Sequence, residues 1–268
     1  MFFSVLLSVY INESPCYLNA SLTSIWDSQT LKPSQIVLVQ DGPLNTELYV
    51  IIKKWKKRLG DIFTIVSLAH NVGLASALNE GLKFCRYEIV ARMDTDDIAL
   101  PNRFEQQLSF LEANPHISVC SGQIEEYSED LITKLSTRKL PLRHDEILKF
   151  AKKRNPISHP CVIFKKTDVI AVGGYPLIYP EDYPLWVLML NKDYQFANLP
   201  QILVKMRVGD ALTARRGLRF LKGEIQVFNL MYKIRFLSTA EYCLNIIQRI
   251  FVRLGPTWLK KILYKFAR

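Results

Sequence analysis

Several features are missing from this 268-residue chain, and each absence narrows what it can be. Its five cysteines (Cys16, Cys85, Cys120, Cys161 and Cys243) are scattered, odd in number and never form a CxxC pair. This excludes a disulfide framework and a cysteine-built zinc site, and it suits a reducing compartment. No run reaches the 18 or so apolar residues that a spanning helix needs. The apolar start, Phe2-Phe3-Ser4-Val5-Leu6-Leu7-Ser8-Val9-Tyr10, lacks the cationic lead and small-residue cleavage site of a signal peptide. It reads as a buried first strand, and the expectation is a cytoplasmic protein without a membrane span. Internal repeats and low-complexity tracts are also lacking. With 49% hydrophobic and 11% aromatic residues, the composition is that of a folded chain rather than a disordered or fibrous one.

Positive charge is abundant but confined to one region. Residues 205–268 carry 14 Lys/Arg against 3 Asp/Glu, a net +11, whereas residues 1–204 sum to −1. The partner of the C-terminal segment should therefore be a polyanion, either a nucleic acid or an anionic membrane face. Within residues 256–268, Trp258, Leu259, Ile262, Leu263 and Phe266 fall on one helical face and Lys260, Lys261, Lys265 and Arg268 on the other. That is the pattern of a helix lying in a membrane interface. Two helices packed on the main domain with a solvated basic face would give a similar pattern. A nucleic-acid-binding protein is a further alternative, although no recognised binding motif is present.

The first half alternates short apolar runs with helical periodicity. Strands are expected over residues 3–9, 35–39, 62–68 and 87–91. Helices are expected from Ser14-Pro15, over the stretch burying Leu48, Ile52 and Trp55 up to Gly60, over residues 74–84, and after Pro101. This order implies a mixed, mainly parallel sheet flanked by helices on both sides. Farther on, residues 125–139 read as a polar loop or two weak strands. Residues 144–154 and 181–191 read as helices, residues 161–165 as a strand, and the chain from 217 onward as helical and cationic.

Ligands of such sheets collect at the carboxyl ends of the strands, and two of those ends are acidic here. Asp94, Asp96 and Asp97 directly follow a strand. Like charges this close need an offset, and a hard divalent cation such as Mn²⁺ or Mg²⁺, shared with substrate phosphates, supplies one. The alternative is a solvated acidic turn or a helix cap. Asp41-Gly42 is either a turn or a carboxylate that accepts from a nucleobase N–H or a ribose hydroxyl. Asn71-Val72-Gly73 opens a helix whose N-terminus is suited to phosphate.

These segments, in this order, resemble family 2 glycosyltransferases with the GT-A nucleotide-sugar-binding fold. The resemblance is carried by Ser8-Val9-Tyr10, the strand ending in Asp41-Gly42, Asn71-x-Gly73-Leu74 through Asn79-x-Gly81, and Met93-Asp94-Thr95-Asp96-Asp97 with Pro101-x-Arg103. It continues through Asn155-Pro156-Ile157-Ser158-His159-Pro160, Gly173-Gly174-Tyr175 and Glu181-Asp182-Tyr183-Pro184-Leu185-Trp186. Val208-Gly209 with Ala214-Arg215-Arg216-Gly217 is similar to the bacterial branch that builds O-antigen and exopolysaccharide, including amylovoran-type enzymes.

The resemblance implies roles for individual residues. Ser8 and Tyr10 would line the nucleotide pocket with Asn71 and Gly73, Asp41 would read the uracil, and Asp94 would lie near ribose and diphosphate. Asp96 would ligate the metal with Asp97 in support. Asp182 would be the general base, oriented by Glu181. Arg215 and Arg216 would screen the departing diphosphate or form a cationic surface turn. His159 and Trp186 would lie on the acceptor side, although a histidine before proline is more often structural. A nucleotide-sugar half (1–118), an acceptor half (119–204) and a basic membrane-associating extension (205–268) would follow. The implied reaction is inverting transfer of glucose or galactose from a UDP-sugar to a lipid-diphosphate-linked sugar at the inner membrane face, with GDP- or dTDP-sugars as alternative donors.

Overall fold

The computed structural model describes residues 1–209 and 218–254. The expected alternation is realised as β1 (Phe3–Val9), α1 (Pro15–Trp26), β2 (Gln35–Gln40), α2 (Thr46–Leu59), β3 (Phe63–Ser67), α3 (Leu74–Phe84) and β4 (Ile89–Arg92). The helix starts follow their local chemistry. Ser14 caps α1 by accepting from Tyr17 N–H ahead of Pro15, and Asn45 caps α2 by accepting from Leu48 N–H at 2.9 Å. Gly60, at φ 55°, closes α2.

After β4 come β5 (Ile98–Ala99), α4 (Arg103–Ala113), β6 (Ile117–Tyr127), β7 (Lys134–Arg138), α5 (His144–Ala151), β8 (Ile163–Lys165) and α6 (Lys166–Ala171). The chain continues through α7 (Asp182–Leu190), β9 (Gln195–Arg207), α8 (Leu218–Lys233) and α9 (Thr239–Leu254). All nine strands join one sheet, in the order β3-β2-β1-β4-β8-β6-β9-β5 with β7 on the outer end of β6. β1 lies between β2 and β4 and pairs parallel with both, β3 extends that parallel set, and β8 enters antiparallel beside β4. The polar stretch after Glu125 forms the end of β6 and the antiparallel β7, so the reading as two weak strands holds. The long β9, running parallel to β6, had no expectation attached to it. Positions 118 and 204 fall inside β6 and β9, so neither marks a break in the sheet.

The period of two in β1 sends Phe3, Val5, Leu7 and Val9 to one face and Leu6 to the other, and each face has its own core. The first core gathers α1, α2 and α4. The second gathers α3, α5, α7 and α8. Burial on both faces is why the strands of the first half read as uninterrupted apolar runs. α3 approaches so closely that a Cβ on Gly81 would overlap Leu6 Cδ1 and Val39 Cγ2.

Candidate active site

Adjacency of β2, β1 and β4 places Asp41, the Ser8–Tyr10 end and Asp94 side by side at one sheet edge. Asp41 is 4% exposed, and its two carboxylate oxygens accept from Val72 N–H at 2.7 Å and Gly73 N–H at 3.2 Å. The Asn71 side-chain amide donates to the Asp41 carbonyl at 3.2 Å, so one aspartate orders the turn into α3. Gly73, at φ 84°, adopts the left-handed backbone that this turn requires. Ser8 and Tyr10 are half-buried beside it.

One atom from each of Asp94, Asp96 and Asp97 lies within 4.8 Å of the others. The turn they share is tightly tied. Ser21 donates to the Asp94 carbonyl at 2.7 Å, and the Thr95 hydroxyl donates to Glu13 at 2.8 Å. Arg207, at the end of β9, donates its backbone N–H to Asp97 Oδ1 at 2.9 Å, its guanidinium bonds the Asp96 carbonyl, and it stacks over Tyr17. Burial, reinforced by Asp94 and Glu13, pushes the Asp96 carboxyl up to about 7. Burial and then its two neighbours raise Asp97 well above the usual range, and its Oδ2 is buried without a partner among the described residues. Three clustered carboxylates, one with an orphaned oxygen, form an all-oxygen donor set that fits a hard divalent cation.

The second acidic pair opens α7. Glu181 precedes the helix and Asp182 is its first residue. The Asn155 amide donates to Asp182 Oδ2 at 2.6 Å, and the Tyr183 hydroxyl donates to the Ala151 carbonyl at 2.7 Å, tying α7 to the end of α5. Burial raises the Asp182 carboxyl, and the Asn155 hydrogen bond opposes that rise. Glu181 is pushed up to about 7, chiefly by burial and then by Asp182. The expected helix N-terminus is present, and desolvation outweighs it.

Arg92, the last residue of β4, is a buried cation whose charge acts on both acidic groups. Its side chain is 2% exposed and ion-paired with Asp94, while Nε and Nη1 have no partner among the described residues. Burial works against its charge. Asp94, Tyr175 and Glu181 more than offset that and hold it above the ordinary arginine range.

His159 and Trp186 are both buried. His159 Nε2 lies 3.2 Å from the Tyr175 hydroxyl, and burial, then the Arg92 charge, holds the imidazole neutral. Trp186 is fully buried among His159, Phe164 and Phe196. Trp186 belongs to α7, and His159 packs against that helix through it. Arg215, Arg216 and residues 256–268 lie outside the described residues.

Four contributors carry no assigned role in the sequence reading: Arg92, Asn155, Arg207 and Asn79. Asn79 clamps Tyr175, accepting from its N–H and donating to its carbonyl, both at 2.8 Å. A Cβ on Gly174 would strike that amide, so the Asn79-x-Gly81 and Gly173-Gly174-Tyr175 motifs are two halves of one contact. The motifs were visible; their contact was not.

Two acidic groups across a nucleotide-type sheet edge are the arrangement of a GT-A glycosyltransferase, and comparison with known proteins agrees. The model of glycosyl transferase family 2 matches residues 4–173, and the chain belongs to that family. It is 39% identical over 268 residues, covering 99% of both chains, to the amylovoran biosynthesis glycosyltransferase AmsE of Erwinia amylovora. It is 38% identical over 265 residues to the UDP-Gal:alpha-D-GlcNAc-diphosphoundecaprenol beta-1,3-galactosyltransferase of Escherichia coli, covering 98% of this chain and 95% of that one. Among solved structures, the mannosyltransferase PcManGT of Pyrobaculum calidifontis, in complex with GDP-Man and Mn²⁺, superposes with a TM-score of 0.66 at 17% identity, over 100% of this chain and 80% of that one. The protein is therefore a glycosyltransferase of the bacterial exopolysaccharide and O-antigen type. Among the described residues, no helix is long and apolar enough to cross a membrane.

Proposed function

We propose that this enzyme transfers glucose or galactose, with inversion, from a UDP-sugar to a sugar carried on a polyprenyl diphosphate. The observation that carries the reading is the pairing of the Asp94/Asp96/Asp97 group with a separate, hydrogen-bonded carboxylate at Asp182. The first group suits a nucleotide diphosphate and its cation. The second suits a proton acceptor on the acceptor side. Near full-length similarity to a galactosyltransferase named for UDP-Gal and a diphosphoundecaprenol-linked GlcNAc supports the choice of substrates.

In this reading Asp41 and the Asn71–Gly73 turn form the base end of the donor site with Ser8 and Tyr10. Each Asp41 oxygen keeps a lone pair for a uracil N–H. Asp96, with Asp97 beside it and Asp94 toward the ribose, would hold Mn²⁺ or Mg²⁺, which when bound neutralises charge developing on the leaving diphosphate. Asp182 takes the proton from the acceptor hydroxyl as that oxygen bonds to C1. The bond from C1 to the β-phosphate oxygen breaks with its electron pair, and UDP leaves. One base facing one leaving group gives inversion, since no carboxylate is assigned to the opposite face as a nucleophile. Glu181 orients Asp182, Trp186 anchors α7 in the core against His159, and Arg215 and Arg216 screen the departing diphosphate. A lipid-borne acceptor and the basic C-terminal segment support a location at the inner face of the cytoplasmic membrane. A donor screen on a synthetic GlcNAc-diphosphate-lipid tests the assignment. Turnover with UDP-galactose or UDP-glucose supports it, and turnover only with GDP- or dTDP-sugars overturns it.

A further inference from the structure

The last described helix, α9, turns an apolar stripe outward. Leu244 is 69% exposed, Ile247 54% and Ile250 40%, with Cys243 also exposed beside them. Its other face is fixed to the domain. Asn245 donates to the Lys152 carbonyl at 2.9 Å, Arg249 donates to the Lys153 carbonyl at 2.6 Å and pairs with Glu224, and Tyr242 stacks on Tyr232. The outward stripe is thus the remainder of a helix already anchored on its polar side.

At the start of α9 lies an open cleft of about 660 Å³ between α5, α8 and α9. Lys152, Lys233 and Arg235 against the single carboxylate of Glu241 leave it net cationic, and Tyr232, Phe236 and Leu237 form its apolar wall. Lys152 is paired with Glu241 at 2.8 Å. Lys233 and Arg235 are exposed and have no ion-pair partner among the described residues. The cleft at the start of α9 is cationic and the exposed stripe farther along the same helix is apolar, the two chemistries of a bilayer surface, phosphate headgroups and acyl chains. A second copy of this chain would bring like charge to the cleft, whereas anionic lipid brings the complement.

We propose that the outer face of α9 and the cleft of Lys233 and Arg235 form the surface by which this enzyme docks on an anionic bilayer, with headgroup phosphates in the cleft. This deepens the reading of a lipid-linked acceptor and rests on it. It assigns the contact to residues within the folded domain, apart from the basic segment at 256–268. It also gives docking a structural link to the reaction. α9 grips the carbonyls of Lys152 and Lys153, and Asn155, two residues farther on, holds Asp182.

The test is co-sedimentation of the full chain with phosphatidylcholine vesicles, with and without phosphatidylglycerol. Three variants are compared with the wild type: Lys233→Glu/Arg235→Glu in the cleft, Leu244→Glu/Ile247→Glu on the stripe, and Lys53→Glu/Lys54→Glu on the exposed side of α2 as a charge-matched control. The wild type should bind phosphatidylglycerol vesicles. The cleft and stripe variants should each bind about tenfold more weakly or worse, and the control within about twofold of the wild type. Turnover of a short soluble acceptor should stay at the wild-type level in all three, which separates a failure of docking from a failure of the transferase reading. Equal loss in the control overturns the proposal, as does wild-type binding by the stripe variant with a lowered melting temperature, which would mean that another part of the chain covers the stripe. Inorganic phosphate binding that is lost in the cleft variant while vesicle binding persists would mark a free-phosphate site and also overturn it.

Discussion

Asn155 donates its side-chain amide to the Asp182 carboxylate across 2.6 Å, joining the segment after α5 to the first turn of α7. The bond favours the ionised form of a carboxyl that burial pushes upward. A general base acts only when deprotonated, so kcat should rise with pH on a limb above the usual carboxylate range. Asn155→Ala removes the opposing hydrogen bond, and that limb should move to still higher pH. A profile identical to that of the wild type would detach Asn155 from the base.

Metal dependence follows from the oxygen cluster at residues 94–97. Activity should vanish in EDTA and return with Mn²⁺ or Mg²⁺, and Asp96→Ala should be nearly inactive. Full turnover in chelator would remove the metal from the account.

Arg92 and Asp94 should respond unequally to substitution. Asp94→Asn leaves a 2%-exposed guanidinium without its carboxylate, and breaking a buried pair in that direction costs on the order of 3–5 kcal/mol. Arg92→Met leaves an aspartate side chain that is 33% exposed and open to hydration, so it should cost less. Urea unfolding of the two variants, compared as midpoints, decides the order.

Asp41→Ala frees the Val72 and Gly73 N–H groups together. Each unsatisfied donor costs about 1–3 kcal/mol where it stays buried, and the turn it orders belongs to the donor site. UDP affinity by calorimetry should fall along with stability. Unchanged affinity would confine Asp41 to the turn.

The parallel half of the fold was legible because β1, β2 and β4 are buried on both faces and leave continuous apolar runs. The ends of those runs located Asp41 and Asp94. β9 was not legible, because its interior mixes Asn198, Pro200, Gln201 and Lys205 with apolar residues, and its pairing with β6 is non-local and broken by register shifts. Arg92 escaped for a related reason. A cation ending an apolar strand looks like a boundary residue until the fold brings Glu181 from nearly 90 positions away into its field. Asp182 was found by motif alone, and the burial that raises its carboxyl is set by the packing of α7, which the motif does not show.

The central claim is inverting transfer with Asp182 as base, and NMR of the anomeric centre of the product tests it most directly. Wild-type enzyme, given its UDP-hexose and the diphosphate-lipid acceptor, should form a product of inverted configuration. Asp182→Asn should form it about 10²–10⁴ times more slowly while binding UDP as the wild type does. A product that retains the donor's anomeric configuration, or an Asp182→Asn enzyme that turns over at the wild-type rate, would contradict the account.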